Sequence, residues 1–283
     1  MPGRQEPSAS VGTVEQGVAV VTGAGRGFGR QIASRLAARG YSVLGADIDA
    51  EAAAATADAI GGRAFSLPMD VRDPDSHRAV AAAAGERGRL DVWVNNAGVM
   101  RTVKSWQHPD DDVRLMLEVN LLGVMWGSRT AVEAMRAAPG GKKHVINMGS
   151  LSALAPVPGL SVYGATKHGV LGFSESLQGD LMQAGIPITV HCVCPDGADT
   201  GLLREQADKK ESAIIWSAPR ILSPEEVADR TVALLDGHRL LEVIPRSRGW
   251  QARVMAMWPR AGLRSAALLQ RVGEKRRARE DRA

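Results

Sequence analysis

The feature that most constrains the fold is a glycine-rich loop between an apolar run and a helical pattern. Residues 17–22, GVAVVT, are short, apolar and rich in Val, as expected of a buried parallel strand. The loop GAGRGFG follows at residues 23–29, and helical spacing begins at residue 31. Glycines permit a tight turn and let the backbone approach a pyrophosphate at a helix N-terminus. This order predicts a dinucleotide site, with a merely flexible turn as the alternative.

Apolar runs and helical patterns alternate along the rest of the chain. Helical segments separate further predicted strands at residues 41–46, 63–67, 90–94, 143–148, 188–194 and 240–244. Regular βα alternation without a linker predicts one parallel sheet with helices on both faces. We expect a single doubly wound α/β domain over residues 17–248, a loosely ordered N-terminal extension over residues 1–16, and a basic amphipathic helical extension over residues 249–283.

An acidic residue closes the second predicted strand. Asp47 lies about 20 residues beyond the glycine loop, where a carboxylate can bind the 2′,3′-diol of a ribose. The same charge repels a 2′-phosphate by about 1–4 kcal/mol at ~4 Å. Arg26, inside the loop, favours the opposite choice because its charge could meet that phosphate. We expect NAD to be preferred, with NADP as the alternative.

Tyr163 and Lys167 stand four residues apart in the segment SLSALAPVPGLSVYGATK, which begins at Ser150. On a helix they share one face. A free phenol has a pKa near ~10, and a nearby cation favours its ionised form. Lowering that pKa by about three units needs roughly 4 kcal/mol, which the lysine and a cationic cofactor ring would supply together. Ser150 would donate a hydrogen bond to the substrate oxygen. Taken alone, such a pair is also typical of a solvated helix surface.

Two polar features lie within apolar segments. Asn120 interrupts a helical pattern over residues 111–137, and a buried Asn must be hydrogen-bonded, either in a structural network or for a functional role. Cys192 and Cys194 alternate along the sixth predicted strand. Core packing is favoured for them because no second ligand pair lies nearby, and we predict no metal site.

Composition and charge exclude several classes of protein. Two cysteines in 283 residues argue against a disulfide scaffold and for a reducing compartment. No run approaches the ~18 apolar residues of a membrane span, and the polar N-terminus lacks a signal-peptide core. A cytoplasmic protein is therefore predicted. The net charge of +4 is uneven, because residues 246–283 carry eleven Lys/Arg and three acidic residues, a local +8 that leaves −4 elsewhere.

Together these residues resemble the short-chain dehydrogenase/reductase family of NAD(P)-dependent oxidoreductases. The motifs keep the family's order and spacing over about residues 17–244, including the thirteen residues from Ser150 to Tyr163. The matching features are T-G-x-x-x-G-x-G at residues 22–29, Asp47, Asp70, N-N-A-G at residues 95–98, Asn120, Ser150 and Y-x-x-x-K at residues 163–167.

The resemblance implies a Rossmann-type domain with a seven-stranded parallel sheet, and it implies roles for the matching residues. Tyr163 would be the general acid/base, Lys167 would lower its pKa and hold the nicotinamide ribose, and Ser150 would orient the substrate oxygen. Asn120 matches a position whose backbone holds a water on the proton path. The implied cofactor-binding residues are Gly23, Arg26, Gly27, Phe28, Gly29, Asp47, Asp70, Val71, Asn96, Ala97, Gly98, Tyr163, Lys167, Pro195 and Thr200.

One residue departs from the family pattern. The family usually has Pro-Gly after the sixth strand, whereas Asp196 follows Pro195 here, which predicts an altered loop path or nicotinamide orientation. Apolar bulk suggests a lipophilic secondary alcohol or ketone as substrate, with core or interface packing as the alternative. The side chains expected to border the site are Met100, Trp106, Leu151, Leu154, Val157, Trp216 and Trp258.

The same residues bear on other functions and on the state of assembly. A catalytically silent dinucleotide-binding regulator is the alternative, and the complete catalytic set argues against it. A sugar-nucleotide epimerase or dehydratase is disfavoured because no substantial C-terminal substrate domain follows. Apolar positions on the helical patterns over residues 111–137 and 162–182, together with the resemblance, predict a two-fold symmetric dimer or tetramer.

The C-terminal extension lies outside the resemblance. Pro259 is predicted to divide it into two helices. The second helix is predicted to carry a basic face made of Arg260, Arg264, Arg271 and Lys275. Beside and opposite that face lies a predicted apolar group made of Ala261, Leu268, Leu269 and Val272. Packing on the body with a solvated basic side is expected, and a weak anchor on an anionic membrane is the alternative. No nucleic-acid partner is predicted, because the rest of the chain is negative.

Overall fold

The computed structural model describes residues 17–218 and 220–280, so the predicted N-terminal extension, residues 1–16, lies outside the described residues. Seven strands form one wholly parallel sheet in the order β3-β2-β1-β4-β5-β6-β7. The strands are β1 (Val18–Thr22), β2 (Ser42–Asp47), β3 (Ala64–Pro68), β4 (Leu90–Asn95), β5 (Lys143–Met148), β6 (Ile188–Pro195) and β7 (Leu241–Ile244).

Helices connect the strands and cover both faces of the sheet. They are α1 (Gly27–Ala38), α2 (Ala50–Ile60), α3 (Pro74–Arg87), α4 (Asp110–Leu117), α5 (Gly123–Ala137), α6 (Ser161–Gln183), α7 (Gly201–Arg204), α8 (Pro224–Val232), α9 (Arg246–Met257) and α10 (Pro259–Glu280). Helices α1 and α8 pack together over one face, while α3, α5 and α6 cover the other. The predicted doubly wound α/β fold is confirmed.

Burial explains why the strands are continuous apolar runs. Every residue of β1 and β4 is buried, because helices cover both faces of the sheet at its centre. The strand order reverses between β1 and β4, which opens a crevice at their carboxyl ends. The loops that follow β1, β4, β5 and β6 meet at that crevice.

Local capping signals set several helix starts. Asp73 precedes α3 and accepts a hydrogen bond from the Asp75 amide at 2.9 Å, with Pro74 as the first helical residue. Ser223 caps α8 in the same way and accepts from the Glu226 amide at 3.1 Å. The amide of the first helical residue has no hydrogen-bond partner within the helix, so a proline there costs no hydrogen bond. The capping residue and the proline together therefore fix where α3 and α8 begin.

The helical pattern over residues 111–137 is interrupted in the structure. Helices α4 and α5 are joined by a π-helical turn, Glu118–Leu122, that contains Asn120. A π turn accommodates one extra residue and commonly marks a functional site. The single helix predicted there is therefore two helices with a bulge between them.

The C-terminal extension packs on the body as two helices, and the predicted division at Pro259 is confirmed. Helix α9 lies on β7, and α10 lies on a 3-10 segment, Lys210–Ser217. This segment is part of residues 201–218, which we call the flap. Gly273 approaches the flap so closely that an added Cβ would lie 1.8 Å from the Ala213 carbonyl oxygen.

The predicted apolar face of α10 is only partly correct. Ala266 and the glycines at 262 and 273 are buried, whereas Leu268 and Val272 are exposed by 64% and 38%. Close backbone contact therefore replaces large side chains on the inner face. The predicted basic residues Arg260, Arg264, Arg271 and Lys275 are exposed, as expected.

Candidate active site

A cavity of about 460 Å³ lies at the carboxyl ends of the strands, and most of the predicted site residues line it. Gly29 and Asn120 do not line the cavity and lie behind the residues that do. Those that line it are Gly23, Arg26, Gly27, Phe28, Asp47, Asp70, Val71, Asn96, Ala97, Gly98, Ser150, Tyr163, Lys167, Pro195 and Thr200.

The glycine loop is shaped by two close backbone approaches. Gly23 has φ of 66°, in the left-handed region, and a Cβ there would lie 2.8 Å from the Cα of Ala97. A Cβ on Gly29 would lie 2.0 Å from the carbonyl oxygen of Gly23. Gly29 therefore lets α1 begin directly against the loop, which orients the free amides at its N-terminus toward the cavity.

The N-N-A-G segment is tied to the end of β1. The Asn96 side-chain amide donates to the carbonyl oxygens of Thr22 and Gly23 at 2.9 and 3.0 Å. The Thr22 hydroxyl oxygen in turn accepts from the backbone amides of Asn96 and Ala97 at 3.0 and 3.2 Å. These bonds hold two walls of the crevice at a fixed separation.

Asp47 and Arg26 lie in different environments. One Asp47 carboxylate oxygen accepts from the Gly25 amide at 2.8 Å and the other accepts from the Asp49 amide at 3.1 Å. Arg26 forms an ion pair with Glu205 of the flap, with 3.0 Å between Nη1 and Oε1. The carboxylate is thus fixed at the end of β2, while the guanidinium is engaged by an acidic partner on the opposite wall.

Asp70 carries a bidentate ion pair with Arg72. The Arg72 guanidinium donates to both carboxylate oxygens of Asp70, at 2.6 Å for the shorter contact. Hydrogen bonding to Arg72 lowers the pKa of Asp70 below its usual value. Arg72 lines the cavity as well, although the motif comparison assigned it no role.

Tyr163 and Lys167 lie on α6, buried, with the Lys167 ammonium 5.6 Å from the centre of the Tyr163 ring. Lys167 Nζ donates to the carbonyl oxygen of Met148 at 2.7 Å. Ser150 follows β5, and its hydroxyl oxygen accepts from the Ser152 amide at 3.2 Å. The predicted trio converges on one wall of the cavity.

The phenol pKa differs from the sequence-based expectation. Burial raises the pKa of Tyr163 to about 12, and a hydrogen bond with Ser150 opposes that rise. Burial also lowers the pKa of Lys167 to about 8. Loss of hydration disfavours both charged forms, so the lysine alone does not produce a phenolate. The protein's own residues therefore hold Tyr163 as a neutral phenol.

Asn120 joins the π turn to the loop after β4. Its side-chain oxygen accepts from the Val99 amide at 2.8 Å, and its side-chain nitrogen donates to the Val99 carbonyl oxygen at 2.8 Å. The nitrogen also approaches the Thr166 hydroxyl at 3.4 Å, on the helix of Tyr163 and Lys167. The structural network that the sequence left open is thus present, and its bonds connect two walls of the site.

Asp196, which departs from the family pattern, has a partner that the sequence analysis missed. Its carboxylate accepts from Arg248 Nε at 2.7 Å, and the two side chains are only 9% and 17% exposed. A carboxylate placed in an apolar loop needs a cation, and this requirement is the signal that could have pointed to Arg248. The pair fastens the first turn of α9 to the end of β6.

The C-terminal helices complete the cavity. The residues they contribute are Arg248, Gln251, Ala252, Met255, Ala266 and Leu269. Among the predicted apolar residues, Met100, Leu151 and Val157 line the cavity, whereas Leu154 and Trp216 pack in neighbouring clusters. The expectation is wrong for Trp106 and Trp258, which are 80% and 60% exposed.

Two hydroxyls in the cavity wall lack partners. Ser152 and Ser217 are 5% and 6% exposed, and neither Oγ makes a hydrogen bond with any described residue. Both residues line the cavity. A buried hydroxyl without a partner is costly to the folded state.

Comparison with known proteins identifies the class. Residues 17–211 match the family model for short chain dehydrogenases. The 3-oxoacyl-[acyl-carrier-protein] reductase FabG of Escherichia coli K12 is 34% identical over 220 residues, covering 77% of this chain and 88% of the relative. The putative oxidoreductase SadH of Mycobacterium tuberculosis H37Rv is 31% identical, covering 76% and 80%. The chain belongs to the short-chain dehydrogenase/reductase family.

A solved structure agrees with that assignment. A short chain dehydrogenase/reductase from Burkholderia phymatum, crystallised in complex with NAD, superposes with a TM-score of 0.78 and 27% sequence identity. The match covers 84% of this chain and 92% of the other. The prediction of an NAD(P)-dependent oxidoreductase of this family is confirmed.

Among the described residues, none of the helices combines the length and the apolar composition that a membrane span requires.

Proposed function

We propose that this protein transfers a hydride between NAD and an apolar secondary alcohol or ketone, with Tyr163 as the general acid/base. The observation that carries this proposal is the convergence of Ser150, Tyr163 and Lys167 on one wall of the cavity that the glycine loop also borders. A binding protein has no need of a phenol and a lysine buried together, since burying both ionisable groups is costly.

The proposed roles follow from the contacts of each residue. A bound nicotinamide dinucleotide supplies or accepts the hydride. Tyr163, kept neutral by burial, is in the form that donates a proton to a carbonyl oxygen. Ser150 offers a second donor to the same oxygen, and Lys167, already turned to the Met148 carbonyl, has donors left for a ribose hydroxyl.

The proposed preference for NAD rests on Asp47. Its carboxylate is held by two backbone amides, so the charge stays at the end of β2, where a 2′-phosphate would meet it. Arg26, the residue that favours NADP in the sequence, is drawn to Glu205 instead. The structurally similar short chain dehydrogenase/reductase from Burkholderia phymatum was crystallised with NAD, which supports the proposed preference for NAD.

The proposed substrate is lipophilic because the far side of the cavity is lined by apolar side chains of three segments. These are Val157 and Leu160 before α6, Ile214 and Ile215 of the flap, and Met255 and Leu269 of the C-terminal helices. The FabG relatives are named for a 3-oxoacyl substrate, which is also a ketone with an apolar chain.

A substrate panel tests this function. The oxidation of cyclic and straight-chain secondary alcohols, and the reduction of the matching ketones and of 3-oxoacyl thioesters, would be followed at the absorbance band of the reduced nicotinamide, with NAD and NADP in turn. We expect turnover of apolar members with NAD. Binding of NAD without turnover of any member would instead favour a dinucleotide-sensing regulator.

A further inference from the structure

The C-terminal helices α9 and α10 carry an unusual share of the exposed apolar surface. Five of the eleven large apolar side chains exposed among the described residues lie on them, and a sixth, Trp258, lies between them. Trp250, Met257 and Trp258 are 72%, 69% and 60% exposed. Tryptophan side chains are normally mostly buried in a soluble protein. The six are Trp250, Met257, Trp258, Leu263, Leu268 and Val272.

Cations without partners lie among these apolar side chains. Arg253, Arg260, Arg264, Arg271 and Lys275 are all exposed. None of the five takes part in an ion pair within the part of the chain that the structure describes. At 100° per residue, Arg264, Arg271 and Lys275 share the outer face of α10 with Leu268. We call these cations and the six apolar side chains the outer tail face.

The inner face of the same helices is fixed to the body, so the outer tail face is held in place. Arg277 donates to the carbonyl oxygens of Ala207 and Lys209 at 2.7 and 2.8 Å, and Arg276 donates to that of Ala218. At the other end, Arg248 is bound to Asp196. A rigid surface of this kind binds without a large ordering cost.

We propose that the outer tail face docks on an anionic membrane surface. Tryptophan favours the boundary between water and lipid because its ring is apolar and its N–H is polar. Arginine and lysine beside it are attracted to anionic headgroups. The same two helices line the cavity with Met255 and Leu269, so docking brings the roof of the cavity to the surface that holds lipophilic molecules.

Charge distinguishes this occupant from a second copy of the chain. A two-fold interface brings a patch against itself, so the five cations of one copy would face those of the other. Residues 246–283 carry eleven Lys/Arg against three acidic residues, so like charges would meet across such an interface. An anionic surface neutralises the same cations.

The test is sedimentation of the full chain with vesicles. We expect it to pellet at low salt with vesicles of phosphatidylcholine and phosphatidylglycerol in equal parts, and to remain in the supernatant with phosphatidylcholine alone. High salt should release it, because screening weakens the attraction. Brominated lipid should also quench the tryptophan fluorescence of the unmodified chain, because indole rings enter the boundary.

Matched variants separate specific docking from general attraction. The substitutions Arg260→Gln, Arg264→Gln and Arg271→Gln together should weaken binding about a hundredfold, at about fivefold per cation. Trp250→Ser with Trp258→Ser should weaken it about tenfold or more. The control removes three exposed arginines from segments away from β7, Arg63→Gln before β3 and Arg78→Gln and Arg87→Gln on α3, and should change binding little.

Three results would overturn the proposal. One is a full chain that stays in the supernatant with anionic vesicles at low salt. Another is a control variant that loses as much binding as the tail variant, or a tryptophan variant that loses none. The third is a fall in the assembled mass of the tail variants by light scattering, which would assign the face to a second copy.

Discussion

Tyr163 differs from phenylalanine by one buried oxygen atom, and its ring packs with Met116 and Leu160. We therefore expect Tyr163→Phe to fold and bind NAD as before but to lose nearly all turnover. Ser150→Ala, the companion variant, should lose about 10²–10³-fold in kcat, as for removal of one oxyanion donor. Steady-state kinetics and NAD titration measure both. A Tyr163→Phe enzyme with a tenth of normal turnover would assign the proton to another group.

Asp47 is the residue on which cofactor choice depends. Asp47→Ala should shift the ratio of kcat/KM for NAD and NADP toward NADP by about one to three decades, since it removes about 1–4 kcal/mol of repulsion. Asp47→Asn is the matched control, because its amide oxygen can still accept from the Gly25 amide while the charge is gone. Equal shifts in both variants would identify charge as the cause. A wild-type enzyme already faster with NADP would contradict the assignment.

A buried histidine pair predicts how stability depends on pH. His144 Nδ1 lies 2.9 Å from His191 Nε2, and His191 Nδ1 lies 2.7 Å from the Arg239 carbonyl oxygen. Burial lowers the pKa of His144 from 6.5 to about 4. The folded state therefore favours the neutral ring. Above pH 6.5 the ring is neutral in both the folded and the unfolded state, and the unfolding free energy is at its full value. As the pH falls from 6.5 toward 4, the unfolded chain binds the proton more readily, so the unfolding free energy decreases. The loss is about 3 kcal/mol at ~1.36 kcal/mol per pKa unit.

Denaturant unfolding across that pH range measures this effect. His144→Gln should flatten the decline in unfolding free energy between pH 6.5 and 4. His168→Gln is the control because His168 is exposed, and it should leave the decline unchanged. A decline of equal steepness in wild type and His144→Gln would exclude His144 as its source.

At the scale of elements, the ion pair between Asp196 and Arg248 joins β6 to α9. Removing one partner of a buried pair leaves an uncompensated charge, so Asp196→Asn should lower the unfolding free energy by about 3 kcal/mol or more. It should also speed proteolysis within α9. The double variant with Arg248→Gln should cost less than Asp196→Asn alone.

The chain contains a matched control for that comparison. Asp199 and Arg204 form a pair of the same 2.7 Å length, but their side chains are 52% and 71% exposed. Asp199→Asn should therefore cost less than about 1 kcal/mol. Equal losses for Asp196→Asn and Asp199→Asn would show that burial does not set the strength of the pair.

Elements with local signals were predictable from the sequence. Strand β5 lies where the pattern predicted it, at Lys143–Met148, and α3 begins at the local signal of Asp73 followed by Pro74. The π turn around Asn120 was not, because an extra residue in a helix changes hydrogen bonding more than hydrophobic spacing. The inner face of α10 was misjudged since its contacts come from glycine and alanine rather than large side chains.

The candidate site divides in the same way. The cofactor side was readable because each motif is short and sits at the end of a strand. The substrate side was readable only in part, because Met255 and Leu269 reach the cavity only through the path of the last two helices. Long-range pairs such as Asp196 with Arg248 leave no periodic signal in a single sequence.

At the scale of the whole molecule, self-association remains a prediction. Leu117, Leu122 and Met182, on or beside helices α4, α5 and α6, are 38%, 37% and 71% exposed. We expect a two-fold symmetric dimer or tetramer that covers these side chains. Light scattering at micromolar concentration should give a multiple of 30.0 kDa. Leu117→Lys with Leu122→Lys should reduce that mass, whereas a wild-type mass of one chain would contradict the prediction.

The roof of the cavity is made by residues that follow the sheet and the flap in the chain. The sheet and the flap are synthesised before α10, and the carbonyl oxygens that Arg276 and Arg277 bind belong to residues 207–218. Until α10 is synthesised, apolar side chains of the flap such as Ile214 and Ile215 therefore lack the cover that it gives. A nascent chain stalled after β7 should therefore bind more of a hydrophobic dye than a chain that includes α10. Synthesis of α10, rather than folding of the sheet, is thus the step that closes the cavity.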